Sequence, residues 1–247
     1  MIDEYRFFDN YLQYYDLSIE ELKRKKDHTM RVTSYSTLLA NELGLTRESI
    51  NLAQKIALFH DIGRFPQFTY FKTFNDENSI DHGNLSHDIL CEFGYNNPTL
   101  LKAVRYHNKY DIPNNLNMME QLQCKIIRDA DKLDNLNQLY YMKYDNKEIS
   151  DELMNCFYDN RLVPNNLAVD SISRELRLLS FIFDIYFDES YSLIKRLDII
   201  NRITTNNYKI TNNPKILEIQ DILNNYLEKR IEVKNERVRK KIQSRAS

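Results

Sequence analysis

Only four glycines and five prolines punctuate 247 residues, and this scarcity limits the fold more than any other feature. A chain of short strands needs a turn about every ten residues, and turns draw on these two residue types. The apolar residues instead recur at helical spacing, so the expected fold class is all-α. The length allows one large domain or a domain with an appendage. Cys91, Cys124 and Cys156 are widely spaced, form no CxxC pair, and are expected to be reduced and buried. No apolar run approaches the roughly 20 residues that cross a bilayer. The start, Met1-Ile2-Asp3-Glu4, has no basic leader region. The expectation is a cytoplasmic protein without membrane association, and a net charge of −2 gives no reason to expect nucleic-acid binding.

The aromatic-rich stretch Met1 to Asp16 reads as a first helix. Ser18 with Glu21 has the capping-box spacing for a second, which carries His28, Val32, Tyr35 and Leu39 on one stripe before Gly44. Thr46 opens a third, in which Leu52, Ile56 and His60 fall four apart, and Phe59-His60-Asp61-Ile62-Gly63-Arg64 closes it. Phe65 to Phe74 reads as an aromatic loop, a candidate lid or pocket wall. Ser79 or Asp81 caps the next helix, with His82, Leu85, Ser86, Ile89 and Phe93 inward. Asn97-Pro98 starts another, which carries His107 on its apolar face. Arg128-Asp129-Ala130-Asp131-Lys132-Leu133-Asp134 follows in an otherwise apolar helix, with Asp131 able to face inward. Beyond Lys147 come a short helix from Asp151 to Tyr158, a long amphipathic region from Val169 to Ile200, and a last helix from Pro214 into a basic tail. The organisation expected is a helical domain over residues 1–146 and a C-terminal helical extension over 147–247 packed on it.

Four of the five histidines, His28, His60, His82 and His107, therefore occupy the apolar faces of separate helices, while His87 lies off its stripe. A single such histidine is ordinarily a core residue satisfied by hydrogen bonds, and an HD dipeptide alone is ordinarily a helix C-terminus. Four, together with Asp61 and Asp131, would leave unpaired polar groups in a core unless a cation resolves them. Imidazole nitrogen and carboxylate oxygen suit a borderline divalent metal.

The order His28, His60-Asp61, Asp131 resembles the H…HD…D signature of the HD superfamily of metal-dependent phosphohydrolases, over about Lys25 to Leu139. The resemblance implies that His28, His60, Asp61 and Asp131 bind one ion. His82 and His107 resemble the additional histidines of dinuclear members, which would bring a second ion with Asp61 bridging. Asp111-Ile112-Pro113 stands where the cyclic-dinucleotide branch carries Gly-Tyr-Pro. One or two divalent ions are expected, drawn from Fe, Mn, Ni, Zn or Mg.

The expected activity is hydrolysis of a phosphoester of a nucleotide or other small phosphorylated metabolite by metal-activated water. Asp61 and His82 carry the chemistry in this reading. Arg64 and Lys132 adjoin ligands and are expected to meet phosphate charge, with Arg31 and Lys109 behind them. The alternatives are a dinuclear-iron oxygenase of the same fold and a non-catalytic, nucleotide-sensing HD domain. The aromatic content would suit a homodimer.

Overall fold

A computed structural model describes the backbone at residues 2–138, 144 and 148–246, with side chains at 3–138, 144 and 148–236. The domain boundary expected at 146/147 and the side chains of most of the basic tail lie outside the described residues. Among the described residues the chain is all-α, with no strand. None of these helices is long and apolar enough to cross a membrane. The chain divides into two compact units, residues 1–134 and 135–247.

The first unit holds α1 (Ile2–Leu12), α2 (Glu20–Glu42), α3 (Arg47–Phe59), α4 (Arg64–Phe71), α5 (His82–Glu92), α6 (Pro98–Tyr106) and most of α7 (Met118–Asn137). Helices α2 and α3 form an antiparallel-capable hairpin that packs closely, as do α5 and α6. Several boundaries follow local chemistry. The Thr46 side chain accepts from Ser49 N–H, Asp81 from Asn84 N–H, and Asn97 from Leu100 N–H with Pro98 in the first turn. Gly44 takes a left-handed φ of +67° just after α2. Phe8, Leu22, Val32, Leu39, Ile56, Phe59, Ile62, Phe65, Val104 and Ile127 are all buried.

Four expectations in the first unit are corrected. The stretch expected as an aromatic loop is α4 up to Phe71. Pro66 falls in its first turn, where a missing N–H costs nothing, and Lys72, at φ 55°, ends it. The Ser18 capping box does not form. Both Ser18 N–H and its hydroxyl bond Asp16 Oδ1, at 2.9 and 2.6 Å, and α2 begins after Ile19 with no side-chain cap. Cys91 is exposed, while Cys124 and Cys156 are buried. Phe93, expected inward, is more than half exposed.

The second unit contains α8 (Asp151–Tyr158), α9 (Ser171–Leu179), α10 (Asp188–Arg196), α11 (Ile199–Thr211) and α12 (Pro214–Ala246). The long region expected over Val169 to Ile200 is broken. A 3-10 segment at Ser180–Asp184 ends α9, and Asp198 at φ 50° separates α10 from α11. Helix α12 packs along α11, α10 and α8, with Ile216, Ile219 and Leu223 fully buried.

Candidate metal centre

Five elements deliver side chains to one place in the first unit. His28 comes from the middle of α2, His60 and Asp61 from the turn after α3, His82 from the first residue of α5, His107 from the residue after α6, and Asp131 from α7. Close backbone approach makes this possible. A Cβ on Gly63 would stand 2.8 Å from both His82 O and Ser86 N, and Gly63 N–H donates to Ser86 Oγ at 2.9 Å. A Cβ on Gly83 would stand 2.8 Å from Arg105 O, so glycine also lets α5 meet the end of α6.

Each of the four imidazoles is held by its Nδ1. His28 Nδ1 bonds Asp134 Oδ2 at 2.7 Å, His60 Nδ1 bonds Ala57 O at 2.7 Å, His82 Nδ1 bonds Asp76 Oδ2 at 2.6 Å, and His107 Nδ1 bonds Val104 O at 2.7 Å. Carboxylates and carbonyls only accept, so Nδ1 carries the hydrogen in all four rings. In the neutral rings of His60, His82 and His107 the Nε2 is then a lone pair, while His28 Nε2 faces Asp131 Oδ1 at 3.1 Å.

The four Nε2 atoms point at Asp61, and its two oxygens face different partners. Oδ2 is 3.6 Å from His28 Nε2 and 3.7 Å from His60 Nε2, while His28 Nε2 lies 3.1 Å from Asp131 Oδ1. Oδ1 is 3.3 Å from His82 Nε2 and 3.5 Å from His107 Nε2, and these two nitrogens are 3.0 Å apart. His28, His60 and Asp131 form one group with metal-ligand proximity, and His60, Asp61 and His107 form another. Asp61 is 3 % exposed and His60 is fully buried.

The donor set fits a cation. His82 Nε2, His107 Nε2 and Asp61 Oδ1 are three acceptors with no hydrogen among them. His60 Nε2 is buried with no hydrogen-bond partner. Burial pulls the His60 imidazole down to about 3 and the His82 imidazole down to about 4, so both are neutral ligands near pH 7. Burial and Lys25 pull His28 down, but its bonds to Asp131 and Asp134 outweigh them and leave it above the ordinary histidine value. Burial would raise the Asp61 carboxyl. The surrounding charges, Lys25 first, outweigh it and hold the group well below the usual range.

A surrounding shell supports the cluster. Asp76 accepts from His82 Nδ1, Arg64 Nη1 at 2.9 Å, Gln67 Nε2 at 2.8 Å and Asn108 Nδ2 at 3.0 Å. Asp134 also receives Arg31, at 2.7 and 3.1 Å. Arg64, besides Asp76, donates from Nη1 to Gln67 Oε1 and Phe74 O, and its Nε is 3.6 Å from Asp61 Oδ1. Lys25 Nζ is 2.9 Å from Asp61 Oδ2.

All six expected ligand residues therefore meet, and Arg64 meets them through Asp61. Lys132 is buried next to Asp131 on α7. Lys109 pairs with Asp81, and His87 pairs with Asp88 at 2.7 Å on the outer part of α5. Asp76, Asp134 and Lys25 were not foreseen as part of the site. Asp134 had a signal, since it lies three residues after Asp131 on the same helix. Asp76 had none.

Residues 26–136 match the family model described as HD domain. No curated protein and no solved structure matches the chain. All six converging side chains fall inside the matched segment, which marks residues 26–136 as an HD domain.

Proposed function

We propose that the protein hydrolyses a phosphoester of a nucleotide or another small phosphorylated metabolite at this site. The observation that carries the reading is the convergence of four imidazole Nε2 atoms on the two oxygens of one buried carboxylate. His28, His60, Asp61 and Asp131 would hold one divalent ion, and His82 and His107 would hold a second with Asp61 shared. A cation bound there supplies Lewis acidity to water and to a phosphoryl oxygen.

The chain's own residues do the rest. Burial keeps His60 and His82 uncharged near neutral pH, so their lone pairs are available without loss of a proton. Asp76 and Asp134 fix the planes of His82 and His28 through Nδ1. Asp61 presents each oxygen to a different pair of imidazoles. Arg64 places positive charge beside Asp61 Oδ1, and Lys132 is the second cation assigned to phosphate charge. In the reaction, a water oxygen bonds phosphorus, the ester P–O bond breaks, and the departing oxygen takes up a proton.

The test is elemental analysis of protein purified without added metal, with phosphate release from an aryl phosphate and a nucleotide panel on the same sample. Bound metal with release that is lost in Asp61→Asn supports the reading. Metal-free protein, or release that survives Asp61→Asn, overturns it. The four-imidazole set also suits a dinuclear-iron oxygenase, and oxygen uptake without phosphate release would select that reading.

A further inference from the structure

Asp61 has a basic side chain near each oxygen, and the two are held differently. Arg64, on Oδ1, is fastened by Gln67, Phe74 O and Asp76 as well. Lys25, on Oδ2 at 2.9 Å, reaches the carboxylate from one turn before His28 on α2. Its side chain is 21 % exposed, and its ammonium lies 5.3 Å from the centre of the Phe74 ring. A flexible four-carbon stem, one carboxylate oxygen and an aromatic face set its position.

Oδ2 is also the oxygen that faces His28 Nε2 and His60 Nε2. A divalent ion held by those imidazoles would draw on the lone pairs Lys25 now occupies. Two like charges on one oxygen repel, so an ion and the ammonium compete for Asp61. Arg64 is not in that competition, because three other acceptors hold it.

We propose that Lys25 is a resident counter-charge which an incoming cation displaces from Asp61, and that the displaced ammonium becomes the group that receives the substrate's phosphate at the mouth of the site. The proposal rests on the metal-site reading above and adds an order to it, cation first and anion second. Without the cation, Lys25 compensates a buried carboxylate that would otherwise be costly. With the cation in place, its stem carries the charge outward past Phe74, where a phosphate dianion approaches. The same ammonium therefore cannot serve Asp61 and the anion together.

Three proteins test this: metal-free wild type, Lys25→Met and Lys25→Arg. Manganese affinity is read by competition with a chromophoric chelator at fixed pH. Inorganic phosphate binding to the manganese-loaded proteins is read by calorimetry. Lys25→Met is expected to bind manganese about tenfold more tightly and phosphate about tenfold more weakly. Lys25→Arg is expected to restore phosphate binding. If Lys25→Met does not fold, as read by circular dichroism, Lys25→Gln carries the same expectation. Unchanged or weaker manganese binding in the neutral variant overturns the proposal, and so does unchanged phosphate binding. Wild type that takes up no manganese overturns the metal-site reading itself, which separates the two failures.

Discussion

His82 Nε2 and His107 Nε2 stand 3.0 Å apart, and neither has a hydrogen to offer the other, because Asp76 and Val104 O claim the Nδ1 hydrogens. A cation held between these two nitrogens and Asp61 Oδ1 would take up all three donor atoms at once.

That arrangement predicts a stabilising ion. Chelator-treated protein should melt at a higher temperature when a divalent metal is restored, by about 2.7 kcal/mol of added stability at a hundredfold excess over Kd. His107→Ala should lose the ion of the His82 side and keep the one held by His28, His60 and Asp131. Metal-to-protein stoichiometry read alongside scanning calorimetry checks both.

Asp76 is the acceptor for His82, Arg64, Gln67 and Asn108. Asp76→Asn keeps the shape and removes the charge, so His82 loses its fixed ring orientation. Metal affinity should fall by about 10–100-fold, with a far smaller change in the fold's secondary structure. Chelator competition and circular dichroism on one sample separate the two effects.

Metal-free protein should lose stability as pH falls. His60 and His82 are depressed to about 3 and about 4 in the folded chain, against an ordinary value of 6.5. Below about 6.5 the unfolded chain binds protons that these two folded imidazoles refuse, so unfolding becomes easier from there down to about 3. Urea midpoints measured at pH 7.5, 6 and 5 should decline in that order, and a flat series would contradict the neutral, buried assignment.

Gly63→Ala tests the close approach of the α3–α4 turn to α5. The added Cβ meets backbone atoms, His82 O and Ser86 N at 2.8 Å, and neither can swing aside. A cost of about 1–3 kcal/mol is expected, with weakened metal binding because the first residue of α5 is His82. Thermal melts with and without metal should both shift downward.

Much of the fold was legible because its signals are local. Thr46 and Asn97-Pro98 cap the helices they were read to cap, and of the two candidates Ser79 and Asp81 it is Asp81 that caps the helix of His82, since a cap needs only the next three residues. Local signals also misled. Ser18 has capping-box spacing, but Asp16 takes its hydroxyl first. The aromatic Phe65 to Phe74 stretch reads as a loop, yet Pro66 sits where a helix tolerates it and the chain turns helical up to Phe71.

Periodicity alone put His28, His60, His82 and His107 on inward faces, because an apolar stripe fixes which side of a helix is buried whatever it packs against. The motif spacing added the superfamily. Which nitrogen of each ring points inward, which oxygen of Asp61 it meets, and the roles of Asp76 and Lys25 were decided only in the assembled structure. Those are relations of a few ångströms between segments far apart in the chain, set by the packing of five elements and by the backbone contact at Gly63. A linear pattern carries direction about a helix axis, but no distance across a core.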